Sequence, residues 1–123
     1  MSAKEIGGMA SQYTDPASGR VLSMDEAYHR PDIRFSRAED DYARSKGYPG
    51  GRDYHEALAF HISQHGVHNP ISYGEHPPEA GYDTMVVNGH HRYFAGRDEG
   101  LEQFPVRHYA SRKLSRVPGW DDR

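Results

Sequence analysis

Asn88-Gly89-His90-His91-Arg92 puts two imidazoles and a guanidinium within five residues, directly behind a turn dipeptide. Met85, Val86 and Val87 before it form a short apolar run of the kind that makes a buried strand. Asn88-Gly89 reads as the turn, because Gly89 takes a positive φ without penalty. His90, His91 and Arg92 then fall on the first turn of a helix. There the backbone N–H groups lack intrahelical partners and the dipole end is positive. Such a turn is an anion seat, most naturally for phosphate. The N–H groups of Gly89, His90 and His91 would hold oxygens, and the Arg92 and His91 side chains would supply charge. The plainer alternative is an ordinary strand-to-helix connection with polar residues on its surface. Arg92 has a second possible role, bracing the fold through a buried acid. An imidazole titrates near working pH, so His90 is a candidate general base beside a bound phosphate, or else only a spectator donor.

Other polar clusters are weaker. His61 and His65 are four residues apart on one helix face, with His68 nearby, a spacing that holds zinc once another protein ligand completes the set. The sequence identifies no such ligand, so no metal site is expected, and the pair reads as surface histidines with His61 half-buried. Glu75, Glu79 and Asp83 flank a strand, and Glu39 and Asp40 sit together on a charged segment.

The elements that must position these residues can be read around them. Residues 1–20 are small and polar, with Gly7-Gly8 and Ser18-Gly19, and are expected to form a flexible arm. Val21 to Met24 is a short strand. Ser23 with Asp25 and Glu26 starts a helix that Pro31 interrupts. Ser36 and Glu39 fit a capping box on a solvated helix that runs to Ser45. Tyr54 to Gln64 is the strongest helix, with Tyr54, Leu58 and Ile62 on one face and Gly66 as its stop. Strands follow at Pro70–Tyr73, Tyr82–Val87 and Phe104–Tyr109, with the His90–Asp98 helix between the last two. The fold class is therefore α+β, a small mixed sheet of about four strands with helices packed on it. A basic tail, 111–123, carries Arg112, Lys113, Arg116 and the sole tryptophan, Trp120.

A chain of 123 residues suits one small domain, expected here over residues 21–110. The formal net charge of −3 argues against coating nucleic acid by bulk electrostatics, although a local basic groove is compatible with it. Cysteine is absent from the sequence, which excludes thiol catalysis and thiolate metal sites within it. No apolar run reaches membrane-spanning length and the first residues lack a signal-peptide core, so a cytoplasmic protein without membrane contact is expected.

Gly89-His90-His91-Arg92-Tyr93, followed by Ala95, Gly100, Leu101 and Phe104-Pro105-Val106, resembles the phosphate-binding box of the ParB/sulfiredoxin superfamily. ParB domains show Gly-Glu-Arg-Arg there and sulfiredoxins Gly-Cys-His-Arg. The Gly-His-His form of free serine kinases is the nearest variant. Ala57–Ile62, Gly66 and Asn69-Pro70-Ile71 resemble the helix, glycine and strand that precede the box, so the likeness spans about Tyr54 to Tyr109. It implies a sulfiredoxin-like fold and adds His61 as a nucleotide contact. His90 stands where sulfiredoxins carry their cysteine, which excludes peroxiredoxin repair. Kinases of the superfamily take a catalytic acid from their N-terminal part, where Glu39 and Asp40 are the clustered acids of this chain. The stretch after the last strand leaves no room for the helix-turn-helix module of partition proteins, so a stand-alone domain is expected.

The expected function is binding of a phosphate-bearing ligand, a nucleotide or a DNA backbone, at Asn88–Arg92 with His61, in a DNA-associated role. One alternative is a nucleotide-dependent phosphotransferase or nuclease using ATP or CTP with Mg²⁺. Another is a non-catalytic module with a decayed phosphate site that binds a protein partner through the C-terminal tail.

Overall fold

In this computed structural model, residues 1–76 and 81–109 are described. The fold is α+β: a five-stranded mixed sheet with helices packed against it. In chain order the elements are α1 (Ala3–Gly7), β1 (Ala10–Thr14), β2 (Val21–Ser23), α2 (Met24–Tyr28), α3 (Pro31–Arg34), α4 (Arg37–Ser45), α5 (Gly51–His65), β3 (Ile71–Glu75), β4 (Thr84–Asn88), α6 (His90–Asp98) and β5 (Val106–Tyr109). The sheet order is β2-β1-β4-β3-β5. β4 lies at its centre, parallel to β1 and antiparallel to β3, and β5 runs parallel to β3 on one edge.

The N-terminal segment is not a flexible arm. Ser2 accepts from the Glu5 N–H, and the Glu5 carboxylate accepts from the Ser2 N–H, a capping box that nucleates α1. Ile6, Met9 and Ala10 are buried, and β1 supplies an inner strand. Small residues around Gly7 and Gly8 suggested a loop, yet Gly7 is small because Asp25 Cβ and the Tyr93 hydroxyl crowd it. Of residues 1–20, the short Gly8–Met9 link and the stretch after Thr14 lie outside the helix and strand.

Downstream, the elements lie close to their expected places. A full capping box on Ser23 and Glu26 starts α2, and Pro31 opens α3 at its first position, where its missing N–H costs nothing. α5 begins at Gly51, three residues earlier than the apolar pattern indicated, because Asp40 of α4 accepts from the Gly51 N–H at 2.8 Å. It ends where Gly66 adopts a φ of 73°.

The core lies between the sheet and α6. Tyr93, Phe94 and Ala95 of α6 are buried together with Val86 of β4, Ile71 of β3 and Leu22 of β2. Phe104 and Ile6 complete it from the chain segments at either end. α5 packs on α6 and α4 packs on α5, which places two helices beside the start of α6. The basic tail 111–123, including Trp120, lies outside the described residues, as does Glu79.

Candidate functional site

β4 ends at Asn88, Gly89 turns the chain at a φ of 103°, and α6 starts at His90. A side chain on Gly89 would sit in the left-handed region and press on Ile71 and the Arg92 guanidinium. Glycine is therefore required there, and it offers no side chain to cap α6. The first-turn N–H groups are left to solvent or a ligand. The turn opens onto three adjoining concavities. The first, about 260 Å³, lies between α5 and α6 and is lined by Tyr42, Tyr54, His61, His68, Asn88, Gly89, His91 and Arg92. A second, about 290 Å³, adds Gln12, Tyr13 and Glu39. A third, about 250 Å³, is bounded by Asn69, Ser72, Asn88, Arg92 and Arg107.

The structure thus brings Asn88, Gly89, His91, Arg92 and His61 to one cleft. Arg92 makes no acid pair among the described residues. Its Nη2 donates to the Pro70 carbonyl at 3.1 Å, while its Nε is buried without a partner. Burial lowers the Arg92 pKa, with the Tyr54 and Tyr42 hydroxyls acting against that shift. A guanidinium with an unsatisfied N–H at the mouth of an uncapped helix has capacity left for an anion.

His90 is placed differently from its neighbours. It is 8% exposed, and its Nε2 accepts from the Gln12 N–H at 3.1 Å. Tyr13 meets the ring edge-on. Burial, then the nearby His91, pushes its pKa down to about 4, so the ring is neutral at physiological pH. In this arrangement its accessible lone pair is occupied by the backbone of β1, and the side chain braces β1 against α6.

The imidazole that faces the cleft is His91. Its Nε2 lies 2.7 Å from Glu39 Oε2, and Tyr13 donates to the other oxygen of Glu39 at 2.7 Å. Tyr42 stacks on the ring with centroids 5.0 Å apart, and Tyr54 meets it edge-on. The expected capping box at Ser36 is therefore only half formed. Ser36 accepts from the Glu39 N–H, but the Glu39 side chain reaches across to α6 instead of back to the cap. Asp40 serves α5 and stands away from the cleft.

Tyr13, Tyr42 and Tyr54 line the site without having been singled out as site residues. Tyr54 sat on the apolar face of the strongest helix, a pattern that signals core. Tyr13 lay in a stretch with no periodicity. A larger concavity of about 850 Å³, between α1 and the far end of α6, carries less chemistry. Its guanidinium, Arg97, is already held by Asp25 at 2.7 Å and the Tyr93 hydroxyl at 3.1 Å.

No family model, curated protein or solved structure matches this chain. Among the described residues no helix is long and apolar enough to cross a membrane.

Proposed function

We propose that this chain binds a phosphate-bearing small ligand, a nucleotide in preference to duplex DNA, at the Asn88–Arg92 turn. The observation that carries the reading is the uncapped N-terminus of α6, which opens into a cleft beside the partly unsatisfied Arg92 guanidinium. Phosphate oxygens fit such a place because backbone N–H groups, the helix dipole and a guanidinium all favour them. A nucleotide is preferred over a duplex because the cleft is re-entrant and walled by Tyr42 and Tyr54, whereas the formal net charge of −3 weakens attraction to a polyanion. The resemblance of the Gly89–Tyr93 box to the ParB/sulfiredoxin superfamily supports a phosphate seat, while by itself it favours a DNA-associated role.

Thermal shifts with ATP, CTP, GTP, ADP and a short DNA duplex, each with and without Mg²⁺, test it on wild type and Arg92→Ala. A ligand that binds only the native state raises the melting temperature. The expected result is a shift with a nucleotide that disappears in Arg92→Ala. Because Arg92 also holds Pro70, each variant is referred to its own ligand-free melting temperature. Millimolar nucleotide without any shift would refute the reading, and a shift with duplex alone would move it to DNA.

The phosphotransferase or nuclease alternative has one supporting observation, the 2.7 Å link from Glu39 to the cleft-facing His91. A carboxylate that fixes an imidazole is a common arrangement for a general base. It predicts Mg²⁺-dependent phosphate release that Glu39→Gln abolishes while nucleotide binding persists.

A further inference from the structure

His61 and His65 lie one helical turn apart near the end of α5. Gly66, at a φ of 73°, then reverses the chain and brings His68 back beside them. The three rings form a triangle with centroids 4.9, 5.7 and 6.1 Å apart. All three side chains are exposed. None makes a hydrogen bond to another described residue, in contrast to His29, His55, His90 and His91, each of which is held by a neighbour. A cluster of three unpartnered imidazoles has no structural task visible in the fold.

One of its spacings equals that of a metal site and the other two are up to about 1 Å wider. A zinc–imidazole bond of about 2 Å puts each ring centroid about 3 Å from the ion, and tetrahedral angles then space the centroids about 5 Å apart. As the side chains stand, no group of three or more His, Cys, Asp or Glu among the described residues is placed to hold a metal ion. Closing a metal shell here requires the three exposed rings to turn about their side-chain bonds, on backbone set by α5 and the Gly66 turn.

We propose that His61, His65 and His68 bind a divalent transition metal of the zinc type through three imidazole nitrogens. Neutral imidazole suits zinc, copper and nickel, and disfavours magnesium and calcium, which take oxygen ligands. Three protein ligands leave a fourth position for water or a ligand oxygen. His61 and His68 also line the cleft shared with Gly89, His91 and Arg92, so an ion held by them would stand at its edge. The metal site does not depend on a phosphate ligand being correct.

The test uses the untagged, metal-stripped full chain. Zn²⁺ binding is followed by calorimetry, and Co²⁺ serves as a spectroscopic probe of coordination. The expected result is one equivalent of metal, the strong visible absorption of four-coordinate cobalt, and a rise in melting temperature that chelator reverses. His68→Ala should lower zinc affinity by more than about tenfold, since even losing a group that only hydrogen-bonds a metal ligand costs about 10–100-fold. His68→Gln, which keeps a polar side chain of similar reach, should fail in the same way. Three results would overturn the proposal. One is affinity unchanged in His68→Ala, which reduces the site to the His61–His65 pair. Another is zinc binding that survives in the His61→Ala, His65→Ala, His68→Ala triple variant, which places the metal elsewhere. The last is an octahedral cobalt spectrum.

Discussion

Glu39 of α4 reaches the cleft-facing His91 of α6 at 2.7 Å across a gap of 52 residues in sequence, with Tyr13 of β1 donating to its other oxygen. One carboxylate thereby ties a strand and two helices together at the wall of the cleft. Burial pushes the Glu39 pKa up, but the hydrogen bonds from His91 and Tyr13 pull it further down, to a net value below the ordinary 4.5. The carboxylate is charged at neutral pH, and both neighbours donate to it.

Removing one donor should therefore destabilise the fold in a pH-dependent way. A buried hydrogen bond to a charged group contributes about 1.5–3 kcal/mol, and Tyr13→Phe leaves one oxygen of Glu39 without its partner. The folded pKa of Glu39 is depressed, so its contribution is present above pH 4.5 and is lost as pH falls below that. Urea unfolding of Tyr13→Phe should show a loss of about 1–3 kcal/mol at pH 7 that narrows toward pH 3. An equal loss at both pH values would refute the assignment of the effect to the charged carboxylate.

His90 gives a second, separate pH signature. Its folded pKa of about 4 lies below the ordinary 6.5, so the unfolded chain binds the proton that the folded chain refuses. Stability attributable to His90 is thus full above pH 6.5 and declines as pH falls from there to about 4. A shift of this size corresponds to about 3 kcal/mol. His55, also lowered chiefly by burial, acts in the same direction. His90→Gln offers an acceptor to the Gln12 N–H but cannot titrate, so it should flatten part of the decline between pH 6.5 and 4. A variant with the wild-type slope would show that His90 does not carry it.

Much of the site was legible in the sequence because it is local. The strand, the Asn88-Gly89 turn and the His90–Asp98 helix are consecutive, and their periodicity and turn chemistry fix one another. The Glu39–His91 link and Tyr13 were not legible, for they depend on how distant elements pack. β1 was missed for a related reason. An inner strand with Ser11, Gln12 and Thr14 shows little apolar alternation, yet Ser11 is buried because its hydroxyl donates to the Leu22 carbonyl at 2.8 Å. α6 itself has a weak amphipathic pattern, since Gly96 and Ala95 are buried beside Tyr93 and Phe94 while Arg92 and His91 face the cleft.

Gly89 and Gly100 separate backbone strain from crowding. Both have positive φ, 103° and 82°, but a Cβ on Gly100 meets nothing within 4 Å. A Cβ on Gly89 would stand 3.1 Å from both Ile71 Cγ1 and Arg92 Nη2. Gly100→Ala should cost only the conformational strain, about 1 kcal/mol. Gly89→Ala should cost more and should also weaken phosphate-ligand binding by displacing Arg92. Denaturation of the two variants side by side, with nucleotide titration of each, checks this. Equal stability losses with binding retained in Gly89→Ala would rule out a tight turn at the proposed ligand seat.

Gly96 sets helix propensity against packing. It is buried in α6 in an ordinary helical conformation, where Gly→Ala normally stabilises by about 0.5–1 kcal/mol. Here the added methyl would run into the Phe104 ring, lying 2.8 Å from Cζ and closer still to Cε2, with Leu101 Cδ1 at 3.3 Å. Phe104 has little freedom to move: it is 3% exposed, and its ring packs on Tyr93 with centroids 5.5 Å apart. Overpacking a tight core costs about 1–3 kcal/mol, which exceeds the propensity gain. Gly96→Ala should therefore destabilise. Phe104→Leu should also destabilise alone, by leaving space beside Gly96. Combined, the methyl should occupy part of that space, so the double variant should lose less than the sum of the two single losses. Urea unfolding of the four proteins measures the coupling. A stabilised Gly96→Ala, or strict additivity, would mean that α6 and the β5 approach are not packed against each other at this point.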